Sequence, residues 1–248
     1  MAAPSLNLPL LTWLAEDRHW RGRTLPSRPW PRLGPTLALA WADWRRLGRR
    51  PALLIVLAAT TPVPVLAATA TSSRGPAAAV ALLAGGIAAG TQGVTATRRD
   101  TNDRTLRRLF SLKPRTVLAA RALLPAALSG GWLALALTLL SLAGVLSGGL
   151  WPLLGLAAGP GLAASALQLA RTGAIDPGEQ GPASPLGTAP RWLVTRALSV
   201  VAGLAGSYPM FLTVQAGQNG FGLLAAQIIV SGLVLGLYLL LATRPGRR

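Results

Sequence analysis

The 248-residue chain is apolar and strongly basic: residues AVILMFWYC make up 51% of it, only 12% is charged, and the formal net charge is +17. A nucleic-acid binder would place its basic residues on helices that also carry polar residues and stacking aromatics, whereas here they cluster between long apolar runs, as in membrane proteins. Because the chain has no cysteine, a disulfide framework, a thiolate metal site and a cysteine nucleophile are excluded.

Residues 1–32 are predicted to form a cytoplasmic N-terminal segment. Its apolar stretch, Leu6–Leu14, is short, lacks a preceding basic region and has prolines nearby. We therefore expect no signal peptide, and insertion is expected to depend on the later apolar helices.

Residues 33–50 predict a basic amphipathic helix ahead of the first span. Leu37, Trp41, Trp44 and Leu47 share one face at helical spacing, and most of the remaining side is charged. Such a helix is typical of the inner membrane surface, where Trp41 and Trp44 would act as interfacial anchors. The alternative is a plain extension of the first span.

Six segments are long and apolar enough to cross a bilayer, which takes about 20 mostly apolar residues. With the loops between them they predict an all-α, polytopic transmembrane domain at 51–243, followed by a cytoplasmic tail at 244–248. The segments are Ala52–Ala70, Ala77–Thr97, Thr116–Ala143, Leu150–Ala170, Trp192–Ala216 and Phe221–Ala242.

The distribution of basic residues predicts the orientation of these spans. Of the 24 Lys and Arg residues, only Arg74 falls on one side of the predicted membrane, and the other 23 fall on the opposite side. Because basic loops stay in the cytoplasm, we expect six spans with both termini cytoplasmic. The preference for Arg over Lys indicates a high-GC genome, so the predicted location is a bacterial cytoplasmic membrane.

Few residues in the sequence are suited to catalysis. All seven Asp and Glu residues fall in predicted cytoplasmic segments, and the single histidine, His19, is isolated. We therefore predict no metal site and no cofactor. The spans lack the buried acids of a proton relay, and there is no phosphate-binding loop for ATP. These features disfavour a membrane enzyme.

Polar and small residues inside the spans have structural and functional interpretations. The polar side chains either bond between helices and anchor them at the interface, or they line a substrate path, for which Gln92, Tyr208 and Gln215 are the candidates. Tyr208 precedes a proline, which fits either a kink or a gate. Close helix contact is permitted by glycines four residues apart, at Gly86/Gly90, Gly155/Gly159 and Gly232/Gly236.

The cytoplasmic segment 98–115 is too long for a simple turn between the second and third spans. It contains an Asp/Thr helix start and an apolar side, and Pro114 ends the short helix. It is interpreted either as a solvated basic loop or as a partner-binding helix beneath the membrane. The residues proposed for partner contact are Asp103, Thr105, Leu106, Leu109 and Phe110.

This organisation resembles the type-2 ABC exporter permeases. They have six helices with cytoplasmic ends, an amphipathic helix before the first, and a coupling helix after the second that reads acidic residue, Gly-Thr-Leu-Glu, leucines, proline. The stretch Asp103–Pro114 (DRTLRRLFSLKP) looks like that coupling helix, with Arg104 and Arg107 replacing the Gly and the Glu, and Arg121 lies near the basic residue that commonly follows. The loop 171–190 looks like that of an uncharacterised actinobacterial permease-like membrane family.

The resemblance implies a transport subunit and not an enzyme. The coupling helix would dock on a separate ABC ATPase, which would hydrolyse the ATP. The permease would pair with a second copy or with a related permease. The alternative function is a non-transporting membrane scaffold or assembly factor derived from such a permease.

Overall fold

The computed structural model describes residues 33–70, 76–94, 113–171, 191–216 and 220–242. These residues belong to a single unit, Leu33–Arg248, and they form helices joined by turns. In chain order the helices are α1 (Pro35–Gly48), α2 (Pro51–Ala59), α3 (Val63–Ala70), α4 (Pro76–Gln92), α5 (Pro114–Leu142), α6 (Trp151–Arg171), α7 (Arg191–Ala216) and α8 (Phe221–Ala242).

Within the described ranges, four helical stretches are long and apolar enough to cross a membrane. They are Pro51–Ala70 (α2 with α3), Pro114–Leu142, Trp151–Ala170 and Phe221–Ala242. Two further stretches, Pro76–Gln92 and Ala197–Leu212, are apolar but shorter. The described part of the chain is therefore all-helical, as predicted, and its composition fits a protein embedded in a membrane.

The first apolar stretch was predicted as one continuous helix but is interrupted between α2 and α3. Pro62 lacks an N–H group, so the carbonyl of Ala58 loses its usual helical donor. The hydroxyl of Thr61 donates to that carbonyl instead, at 2.7 Å. From α5, the indole Nε1 of Trp132 donates to the carbonyl of Leu57 at 3.1 Å. The same two carbonyls also accept the N–H groups of Thr61 and Thr60, at 3.1 and 3.3 Å. Side chains and backbone together thus satisfy the break, as apolar surroundings require.

Helix α6 is the centre of the bundle and packs against α4, α5, α7 and α8. Its glycines allow the neighbouring backbones to approach closely: a Cβ atom on Gly161 would lie 2.8 Å from the Cα of Gly206 in α7. The predicted pairs Gly86/Gly90 and Gly155/Gly159 also face neighbouring helices, whereas Gly232 and Gly236 have no such neighbour within 4 Å.

The charged residues of the described ranges gather at one end of this bundle, which we call the basic end. At this end α1 packs against α5. Helices α4 and α6 end here, and α5 and α7 begin here, because α6 runs antiparallel to both α5 and α7. α8 finishes there too, since its Leu235 and Tyr238 pack near the end of α6. The charged residues at this end are Asp43, Arg45, Arg46, Arg49, Arg50, Lys113, Arg115, Arg121, Arg171, Arg191 and Arg196.

Candidate functional site at the basic end

A buried ion pair fastens α1 to the bundle. Asp43 of α1 accepts a hydrogen bond from the guanidinium of Arg121 in α5, and the two side chains are 3% and 7% exposed. A second arginine, Arg46, lies 3.9 Å from the same carboxylate oxygen but is 58% exposed. Asp43 is the only acidic residue in the described ranges, and these ranges hold no group of three side chains that could bind a metal.

The ion pair fixes the rotation of α1 about its own axis. Asp43 and Leu47, one turn apart, are both buried on the side that meets the bundle. Leu37, Trp41 and Trp44 lie on another face and are 55%, 40% and 51% exposed. The prediction that Leu47 shares the face of the two tryptophans is therefore wrong. The apolar residues of α1 therefore belong to two different faces: Leu47 packs against the bundle, whereas Leu37, Trp41 and Trp44 point outward.

The two tryptophans are placed as interfacial anchors would need to be. Trp41 and Trp44 project away from the bundle, on a helix whose remaining outward side carries arginines. Amphipathic rings of this kind favour the headgroup level of a bilayer. Their role as anchors at the inner surface stays a prediction.

The predicted coupling residues lie outside the described residues. This holds for Asp103, Thr105, Leu106, Leu109 and Phe110, and the 98–115 segment is described only from Lys113 onward. Its last residues lead directly into α5, where Pro114 occupies the first helical position, a place that suits its fixed φ and missing N–H. The segment therefore joins the bundle at the basic end, on the helix that carries Arg121.

The three candidates for a substrate path lie at different levels of the bundle. Gln92 is exposed at the end of α4, close to the basic end. Tyr208 is 59% exposed and lies in the second half of α7. Gln215 follows seven positions later on the same helix, and its side chain is outside the described part of the chain. Their shared role on a path stays a prediction.

A buried amide from α8 contacts the backbone of α7 next to Pro209. The Oε1 atom of Gln227 in α8 accepts from the N–H of Met210 at 2.9 Å, and its Nε2 donates to the carbonyl of Gly206 at 2.6 Å. Met210 and Gly206 are the two groups that an ordinary i to i−4 helical bond would join. The hydroxyl of Ser231 donates to the same carbonyl at 2.8 Å. The side chain of Gln227 thus bridges the N–H of Met210 and the carbonyl of Gly206 in the neighbouring helix α7.

The Asp43–Arg121 pair is the feature that sequence reasoning missed. Two signals pointed to it. Asp43 is the only acidic residue between Asp17 and Asp100, and Arg121 is one of two arginines inside the predicted spans, the other being Arg196. An ionisable residue at membrane depth is expected to have a partner, and a lone acid on a basic helix is the natural one.

Comparison with protein families assigns the chain to a family. The model of DUF6297, a family of unknown function, matches residues 1–172. The chain belongs to this family. The match covers α1 to α6, so both partners of the Asp43–Arg121 pair lie inside the part that DUF6297 describes, as does the 98–115 segment. Comparison with curated proteins and with solved structures found no match.

Proposed function

We propose that this member of DUF6297 is the transmembrane permease subunit of an ABC-type exporter, driven by a separate ATPase that docks on segment 98–115. Two permease chains, identical or related, would form the transport path. ATP-driven movement of the docked segments would change the access of that path, because the ATPase would contact the two states of the permease differently.

Six spans are part of this proposal. Four stretches meet the length and hydropathy expected of a span, and α4 and α7 would be the other two. Helix α4 has 17 residues, the lower end of the range of about 17–25 for a spanning helix, and α7 has 26. The antiparallel packing of α5, α6 and α7 and the charge on the basic end support an inner, cytoplasmic location for that end.

The observation that carries the proposal is the physical link at the basic end. Segment 98–115 leads into the first turn of α5, and Arg121 lies only six residues after Arg115, about 9 Å along the helix. Because Arg121 is ion-paired with Asp43, a force applied to the segment would move α1 and α5 together. A cytoplasmic motor protein needs a connection of this kind in order to act on the membrane helices.

The proposal is tested by isolating the chain from native membranes in mild detergent. We expect an ABC ATPase to co-purify. We expect Asp103→Arg and Leu109→Glu each to reduce both its recovery and its membrane-stimulated ATP hydrolysis at least tenfold, since a charge would replace each proposed contact. Quantitative mass spectrometry and phosphate release measure the two effects.

The matched controls lie in the other long cytoplasmic loop. Asp176→Arg and Leu186→Glu make the same chemical changes outside segment 98–115 and should leave recovery of the ATPase unchanged. If no ATPase co-purifies with the wild-type chain, the permease proposal fails and a membrane scaffold or assembly factor takes its place.

A further inference from the structure

We propose that the outward side of α1 is a binding surface for anionic phospholipid, with Arg45 and Arg49 contacting headgroup phosphates while Leu37, Trp41 and Trp44 enter the bilayer. The inference deepens the proposed function and rests on its membrane orientation, but not on the ATPase. The occupant of this surface is the acidic inner leaflet itself.

The geometry of α1 divides it into three faces. Successive residues of an α-helix are rotated by about 100°, so Asp43 and Leu47 occupy the face that packs on the bundle. Leu37, Trp41 and Trp44 lie about a quarter of a turn away, on what we call the aromatic face. Arg45 and Arg49 lie roughly another quarter-turn further round, next to the aromatic face and away from the bundle. Because the buried pair fixes the rotation of the helix, these two faces are held in place together.

The exposures fit this arrangement. Leu37 and Trp44 are each more than half exposed, which would be unfavourable in water for a row of large apolar side chains but favourable at the hydrocarbon boundary. Arg49 is exposed and Arg45 is intermediate. Long arginine side chains beside such a row can extend along the apolar surface to the headgroups.

Charge complementarity selects an anionic bilayer as the occupant. The described part of α1 and the turn after it carry four arginines, and their single acid, Asp43, faces the bundle. The cytoplasmic leaflet has a negative surface potential that favours basic residues at its surface. The exposed tryptophans next to these arginines suit the headgroup level of such a bilayer, where amphipathic rings are favoured.

The first test measures lipid binding to the purified full chain in detergent by native mass spectrometry. Phosphatidylglycerol should bind in preference to phosphatidylcholine. Arg45→Gln/Arg49→Gln should weaken phosphatidylglycerol binding roughly 30-fold, about fivefold for each arginine. Arg46→Gln/Lys113→Gln removes the same charge from other surfaces and should keep the preference. Equal binding of phosphatidylglycerol by the wild type and the Arg45/Arg49 variant would overturn the proposal.

The second test does not depend on how the Arg45/Arg49 variant folds. Because the chain has no cysteine, one nitroxide label can be attached at Leu37→Cys and, in a separate protein, at Arg46→Cys, which lies on the opposite side of α1 and is 58% exposed. In phosphatidylglycerol nanodiscs, the first label should be accessible to oxygen but not to a water-soluble nickel chelate, and the second should be accessible to nickel.

Two outcomes of the label experiment would contradict the inference. Nickel access at position 37 would mean that the aromatic face lies in water. Exclusion of both reagents would mean that a protein, such as a second copy of the chain, covers it. If phosphatidylglycerol is preferred but no ATPase co-purifies, the lipid-binding inference holds and the transport proposal fails. Failure of the one proposal is therefore distinguishable from failure of the other.

Discussion

Asp43 shows how much the surroundings of a charged residue decide its energetic role. The same carboxylate faces two arginines, of which Arg121 is 7% exposed and Arg46 is 58% exposed. Exposed ion pairs contribute little because water and salt screen them. A buried charge that loses its partner is strongly destabilising, because the remaining ion is neither hydrated nor paired. The chain therefore offers an internal comparison between a buried and an exposed pair.

Asp43→Asn should lower the free energy of unfolding by about 3–5 kcal/mol, since it leaves the charge of Arg121 buried without its counterion. Arg46→Gln should cost at most about 1 kcal/mol. Circular dichroism during titration with sodium dodecyl sulfate measures both. Similar losses for the two variants would show that the buried pair is not what holds α1 to α5.

At the scale of helices, close packing around α6 depends on particular glycines and not on glycine content in general. Gly161 meets the backbone of Gly206, whereas Gly232 in α8 has open space where a side chain would project. Helices in membranes associate by van der Waals contact between small residues, so only those glycines that touch a neighbour are expected to matter.

Gly161→Ala should destabilise the chain by about 1–3 kcal/mol, because a methyl group 2.8 Å from the Cα of Gly206 forces α6 and α7 apart. Gly232→Ala adds the same methyl group where nothing lies within 4 Å, and it should be neutral or slightly stabilising through helix propensity. Thermal unfolding in a single detergent compares the two. A larger loss for Gly232→Ala would mean that α8 has a partner on that face.

The helices themselves were largely predictable, whereas their irregularities and partners were not. Hydropathy placed Phe221–Ala242 at its observed bounds because a long apolar run has few competing structures. The same signal missed the break before Val63, since proline inside a span can either bend or interrupt a helix. The bridge from Gln227 to the backbone of α7 and the pairing of Asp43 depend on residues far apart in the chain, which periodicity does not report.

At the scale of the whole molecule, the distribution of charge among the described residues defines how the bundle can lie in a bilayer. The described charges collect at the basic end, and the turn between α5 and α6 at the opposite end carries none. That turn contains Gly144 at a φ of +74°. Its N–H donates to Ser141, and the N–H of Val145 donates to Leu140. This is a regular helix cap that needs no partner from another element.

Six spans with both termini inside can be tested because the chain has no native cysteine. Single cysteines at Ser73, Ser147 and Asn219 should react with an impermeant maleimide added to intact cells, since these positions fall in the predicted outer loops. Cysteines at Thr101 and Ser184 should react only after the membrane is permeabilised. Labelling of Thr101→Cys from outside would contradict the six-span topology, whatever the chain transports.

The ion pair that fastens α1 also has a consequence for biosynthesis. Its partners are 78 positions apart, so Asp43 leaves the ribosome roughly 4 to 16 s before Arg121 at ordinary rates of translation. During that interval α1 has no counterion in α5 to dock against. The aromatic face can reach the lipid early, but α1 can dock on α5 only after the beginning of the third predicted span, with Arg121, has been made. The order of synthesis therefore separates the production of α1 from its docking, and a nascent chain that ends before Arg121 would keep this helix undocked.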